Sequence, residues 1–135
     1  MADFTYVGQV SGNTIAAISI TLTGTVEAGD FVTYARAKAT ASAVELGFLA
    51  LEGGVDGDVI LAYPVIAGMI FKGTADGDIA EVGTQVALAT SSDAQVVDAT
   101  GGVNLFFVSL DAPDISEDAN VRVMYAGAYH NDLVS

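Results

Sequence analysis

Hydrophobic and polar residues alternate along much of the chain, a period of two that is typical of half-buried β-strands. The clearest case is Ile18–Leu22, where Ile and Leu side chains alternate with Ser and Thr. Seven more short segments are rich in β-branched or aromatic residues, and most are bounded by Gly, Asp or Ser. They are Phe31–Tyr34, Leu46–Leu51, Val59–Tyr63, Val65–Phe71, Gln85–Ala89, Leu105–Leu110 and Val121–Tyr125. Eight short strands in one small domain predict an all-β sandwich or barrel.

A helix is predicted at most once. The best window is Ala35–Glu45, which is rich in Ala, but Thr40, Ser42 and Val44 lower its helix propensity. The same composition suits a loop of small residues, so a short helix and a loop remain alternatives for this segment.

One short motif occurs three times, at 24–31, 53–59 and 73–79. Each copy begins with Gly and small or apolar residues, then has an acidic residue, Gly-Asp and an apolar residue. The Gly is suited to positive φ in a tight turn, and the Asp can cap that turn. The Asp residues of the copies are 28 and 20 residues apart, which is too uneven for a solenoid or propeller. We interpret the motif as a recurring turn.

Composition narrows the range of partners. The 135 residues suit one domain, and 52% are hydrophobic, which is enough for a core. Seventeen acidic against four basic residues give a net charge of −13, so nucleic acid and anionic membranes are not expected partners. The N-terminus resembles no secretory signal, and the longest uncharged apolar run, Val59–Phe71, is too short to span a bilayer. We expect synthesis in the cytosol and no membrane insertion.

The sequence contains no recognisable catalytic constellation, so we expect no enzymatic activity and no cofactor. It has no Cys, and its only His, His130, falls in an apparent C-terminal tail, where it is a poor candidate for activating a nucleophile. Paired carboxylates at Asp56 and Asp58, and at Asp76 and Asp78, resemble calcium ligands, but the rest of a calcium loop is missing. We therefore interpret these pairs as structural turns and predict no metal site.

The chain from about Gly24 to Tyr125 resembles the small capsid decoration proteins of tailed bacteriophages, which are similar to the lambda-type head decoration proteins. The resemblance is carried by a series of short segments in a characteristic order. They are Val26–Val32, Leu46–Glu52, Asp56–Val59, Ile66–Phe71, Val82–Leu88, Phe106–Asp111 and Asn120–Val123. Phe107 departs from the pattern because a Gly is usual there, and the first 23 residues have no counterpart.

The resemblance implies a compact β-tulip-like sandwich or barrel in residues 13–128. From the residues themselves we expect an N-terminal arm in residues 1–12, which are apolar but lack the alternation, and a tail in residues 129–135. The resemblance also implies a structural virion protein that binds the major capsid protein on the outer surface of the phage head, as a homotrimer. We expect Phe4, Tyr6 and Val7 of the arm to contact the capsid or a neighbouring subunit; the alternative is an edge strand of the same domain. Alternative functions are another virion component such as a head fibre or tail tube, a surface-lattice subunit, or a carbohydrate-binding module.

Overall fold

The computed structural model describes residues 4–12, 14–40, 43, 45–79, 81–91, 94–98, 106–111 and 119–126. Within these ranges the chain forms strands and turns without a helix, so the all-β prediction is confirmed. The strands are β1 (Thr5–Gln9), β2 (Ile18–Thr21), β3 (Phe31–Val32), β4 (Phe48–Ala50), β5 (Val59–Pro64), β6 (Met69–Asp76), β7 (Gln85–Ser91), β8 (Ala94–Asp98), β9 (Phe107–Ser109) and β10 (Asn120–Tyr125).

Five strands close into a barrel in the order β6-β10-β9-β7-β8. Four of the pairings are antiparallel, and the barrel closes where β6 and β8 run parallel, with Ala75 opposite Val97. β6 has eight residues and pairs with two strands along the same edge. Its first half pairs with β1, and its second half pairs with β8. A bulge between Tyr6 and Gly8 interrupts the β1–β6 register.

The other four strands form an antiparallel sheet in the order β2-β5-β4-β3. One face of this sheet contributes Phe31 and Leu49 to the main core inside the barrel. The opposite face forms a smaller core around Ile20, Ile60 and Ala62. β3 and β4 are therefore apolar on both faces, as expected for strands that lie between two cores.

A cluster of phenylalanine rings joins the barrel to the second sheet. Phe4, Phe31, Phe71 and Phe107 are all at most 2% exposed. The centroid of the Phe31 ring lies 4.7 Å from that of Phe4, 4.9 Å from that of Phe71 and 5.5 Å from that of Phe107. Gly73 makes room for this cluster, since a Cβ at that position would lie 2.4 Å from Cε1 of Phe4.

A buried glutamine connects the two sheets by hydrogen bonds. Gln95 on β8 is 1% exposed, and its Oε1 accepts a hydrogen bond from the backbone N–H of Phe31 at 2.6 Å. Its Nε2 donates to the carbonyl oxygens of Phe31 and Ala39, each at 2.9 Å. The side-chain amide thus occupies the place of a neighbouring strand beside β3 and satisfies backbone groups that have no access to water.

The first two copies of the recurring motif form the same turn. Gly29 and Gly57 both have φ of 90°, in the left-handed region that favours Gly. Asp30 and Asp58 each accept, at 2.9 Å, a hydrogen bond from the backbone N–H three residues earlier. Their own N–H groups donate to the carbonyl oxygen of that same residue, at 3.1 and 3.0 Å. The predicted roles of Gly and Asp are confirmed in these two copies.

These two turns also pair with each other through two segments, 22–30 and 50–58, which we call the paired segments. The first residue of each segment donates its N–H to the carbonyl oxygen of the last residue of the other, at 2.8 and 2.9 Å. The middle residues, Val26 and Gly54, exchange two hydrogen bonds of 2.9 Å. The paired segments are therefore related by an approximate two-fold axis, which the recurring motif alone did not predict.

In the described part of the window Ala35–Glu45, residues 35–40, 43 and 45, the structure has no helix. Residues 34–37 form a turn, in which Thr33 accepts a hydrogen bond from Arg36 N–H at 2.8 Å and donates its own N–H to Ala37. Arg36 has φ of 68°, which is incompatible with a right-handed helix. Ala39 is buried and donates its N–H to the carbonyl oxygen of Phe31, so the segment lies against β3.

Candidate partner-binding surface

The structure places the three residues predicted to bind a partner in different environments. Phe4 is 2% exposed and belongs to the main core, so its ring packs inside its own domain in this structure. Tyr6 is half-buried, with its ring 5.0 Å from that of Tyr63. Val7 is 51% exposed. A partner-binding role stays a prediction for Tyr6 and Val7.

The described part of the predicted N-terminal arm is an edge strand of its own domain. β1 pairs with β6 in antiparallel register, and the N–H of Phe4 donates to the carbonyl oxygen of Gly29 at 2.9 Å. The reason is physical, since the Phe4 ring fills the space above Gly73 in the core. The structure therefore matches the alternative to a free arm, which was an edge strand of the same domain. Residues 1–3 and the predicted tail 129–135 lie outside the described residues.

A shallow apolar groove separates β1 from the second sheet. It has a cavity volume of about 270 Å³, and its walls include Tyr6, Leu51 and Tyr63, with Phe4 and Ala50 at its base. Most of these side chains are aromatic or aliphatic, so the groove offers a partner apolar contact more than hydrogen bonds.

Next to the groove, β5 has an uncovered apolar face. Val59 is 65% and Leu61 45% exposed, while Ile60 between them is buried in the smaller core. Leu51 lies beside Leu61, to whose carbonyl oxygen it donates its N–H at 2.9 Å. Tyr63 follows two residues later on the same face of β5, since side chains alternate along a strand. One row of apolar side chains thus runs along β5 into the groove, and we call it the apolar strip. It consists of Val59, Leu61, Leu51, Tyr63 and Tyr6.

The sequence contained a signal for this strip that the strand prediction did not use. β5 reads Val-Ile-Leu-Ala-Tyr-Pro, which is apolar at every position. A continuous apolar run is typical of a strand covered on both faces. β2 beside it reads Ile-Ser-Ile-Thr and has polar residues on the face where β5 has Val59 and Leu61.

The acidic turns at Asp56–Asp58 and Asp76–Asp78 contain side chains of the kind that bind calcium. Oδ2 of Asp58 accepts the backbone hydrogen bond that closes its turn, so the geometry matches the structural interpretation. Among the residues that the structure describes, no group of three or more acidic or His side chains is arranged to hold a metal ion. His130 lies outside that set. A search of the same residues finds no helix with the length and apolar character to cross a membrane.

An exposed ion pair joins the end of β9 to β10. Oδ1 of Asp111 accepts hydrogen bonds from Nη2 and Nε of Arg122 at 2.8 and 2.9 Å, and Oδ2 accepts one from the backbone N–H of Arg122 at 2.8 Å. The hydrogen bond from the Arg122 side chain holds the pKa of the Asp111 carboxyl below its usual value.

Comparisons of the chain with protein-family models, with curated proteins and with solved structures find no match. The structure thus defines an acidic all-β protein with a closed barrel, a second sheet and an apolar strip that is exposed within the described residues.

Proposed function

We propose that this chain is a capsid decoration protein that binds the outer surface of a tailed-phage head and stabilises the shell. The proposal rests on the order of the segments that resemble that family. Each of the seven coincides with a strand or a turn of the described structure, beginning with the first turn and β3 at Val26–Val32 and ending with β10 at Asn120–Val123. The resemblance is therefore carried by the elements that build the fold.

The physical character of the molecule supports the same role. A decoration subunit has to be rigid, and here a closed barrel, a phenylalanine cluster and the Gln95 hydrogen bonds join the two sheets into one body. It also has to stay dispersed until it meets its template. Like-charge repulsion from a net charge of −13 opposes association between free copies.

The test uses shells of the phage that encodes the chain, prepared without this protein. We expect the purified protein to co-sediment with these shells, to appear on their outer surface by electron microscopy and to raise their disruption temperature. Failure of the intact protein to bind such shells would refute the proposal. Polymerisation of the protein alone into tubes or lattices would support a tail-tube or surface-lattice subunit instead, and specific glycan binding would support a carbohydrate-binding module.

A further inference from the structure

We infer that the apolar strip is the surface with which this protein meets a partner, and that the partner surface is apolar at its centre and basic around it. This inference rests on the proposed function, which supplies the shell as the partner, and it specifies the face and the chemistry of the contact. β5 is apolar on both faces. Ile60 and Ala62 are buried on one side, whereas Val59 and Leu61 on the other have no covering layer within the described chain.

The apolar strip is continuous with a cavity. Val59 and Leu61 are exposed, Leu51 lies beside Leu61, and Tyr63 then leads into the groove against Tyr6. A partner segment laid along β5 could place one side chain in the groove while it covers the two exposed residues. Anchors that fill a pocket at the centre of a contact supply much of the binding energy of protein interfaces.

The border of the apolar strip is acidic. Three carboxylates border the strip, and all three residues are exposed: Glu52, whose Oε2 accepts the Leu61 N–H at 2.7 Å, and Asp56 and Asp58 in the turn before Val59. The segment 49–63, which supplies these carboxylates and most of the strip, contains no Lys or Arg. Lys72 lies opposite Thr5 of β1, at the far end of the strip where Thr5 lines the groove. A partner with Lys or Arg around an apolar centre complements this border.

The same border disfavours a second copy of this chain as the occupant. Two strips brought face to face would also bring two sets of carboxylates together, and like charges across an interface oppose association. The apolar strip is therefore suited to a partner of opposite charge, in agreement with a subunit that remains dispersed until the shell is present.

The experiment compares variants for binding to decoration-free shells. The strip variant Val59→Thr with Leu61→Thr keeps strand-forming residues but removes apolar contact, and we expect its affinity to fall about 30-fold or more. The matched control, Val10→Thr with Val82→Thr, changes two residues that are 65% and 61% exposed outside the strip, and it should bind like the wild type. Thermal melting of each variant confirms folding. Protection of Tyr6 and Tyr63 from hydroxyl radicals on decorated shells gives a second measurement that needs no variant.

A charge variant tests the border separately. Glu52→Gln retains an acceptor for the Leu61 N–H, and with Asp56→Asn it removes two charges; we expect weaker binding at low salt and a flatter salt dependence. The inference is overturned if the strip variant binds shells as well as the wild type does and if Tyr6 and Tyr63 stay unprotected on decorated shells. That result would leave the proposed function intact. If the wild type is a dimer or trimer that the strip variant dissociates, the strip is a self-interface and the inference is wrong. Failure of the wild type to bind shells at all would refute the proposed function, and the inference with it.

Discussion

Replacing Gln95 by Leu tests whether one side chain holds the two sheets together. Leu has a similar size, so the change removes the hydrogen bonds without opening a large cavity. It leaves the N–H of Phe31 and the carbonyl oxygen of Ala39 without the amide that they contact in a site shielded from water. The carbonyl oxygen of Phe31 retains its hydrogen bond from Ala39 N–H, at 2.9 Å.

A buried polar group that loses its partner costs about 1–3 kcal/mol, and Gln95→Leu creates two such groups. The better burial of an apolar side chain offsets part of this cost, so we expect a loss of about 3 kcal/mol in the free energy of unfolding. For a domain of this length that corresponds to a fall of about 10 °C in melting temperature. Gln95→Glu should be worse at neutral pH, because it places a carboxylate against two carbonyl oxygens.

Urea and thermal unfolding, followed by circular dichroism, measure both changes. The matched control is Gln9→Leu on the edge strand β1, where the only described side-chain bond is an exposed one with Ser11, and it should change stability by less than about 0.5 kcal/mol. If Gln95→Leu is as mild as Gln9→Leu, the amide does not connect the sheets and our account of their packing is wrong.

Four further predictions follow from other parts of the structure. Phe71→Ala should cost about 3–5 kcal/mol because Phe71 is fully buried, whereas Phe48→Ala should cost clearly less because Phe48 is half-buried; equal melting temperatures would contradict the core assignment. Deleting residues 2–12 should lower the melting temperature of the isolated protein, since it removes the buried Phe4 ring and β1; an unchanged value would restore the free-arm interpretation. The pKa of Asp111 is lowered in the folded protein, so its ion pair should stabilise the fold at pH values above the pKa of an unfolded Asp. This stabilisation should be lost as the pH falls through the folded-state pKa. The melting temperatures of the wild type and Asp111→Asn should therefore become equal in acid. Chelation by EDTA should leave the melting temperature unchanged; a drop of ten degrees or more would indicate a structural metal.

Local patterns predicted much of the fold. The alternation at Ile18–Leu22 predicted β2, and the apolar run at Val59–Tyr63 predicted β5. Both predictions succeeded because the burial of each face of a strand determines which of its own residues are apolar. The predicted strand at Val65–Phe71 was displaced, since β6 begins at Met69 and runs to Asp76. β8 was missed, and its sequence, Ala-Gln-Val-Val-Asp, places a polar residue at a buried position.

Pairing and the candidate surface were harder to predict. Gln95 is buried because Phe31, 64 residues away, presents it with a backbone N–H and a carbonyl oxygen, and no local pattern contains that information. Phe4 was assigned to an arm because it precedes the recognisable domain, yet its ring lies over Gly73 in the core. The apolar strip depends on which face of β5 the second sheet leaves uncovered. That is set by non-local packing, although the uninterrupted apolar run of β5 was visible in the sequence.

The approximate two-fold relation of the paired segments has a consequence for how the protein opens. Each segment supplies hydrogen-bond partners to the ends and the middle of the other. Release of segment 22–30 would remove the acceptors of the Ala50, Gly54 and Gly57 N–H groups, although 28 residues separate equivalent positions. We therefore expect these amides to exchange in native-state hydrogen exchange together with those of segment 22–30, as one cooperative unit.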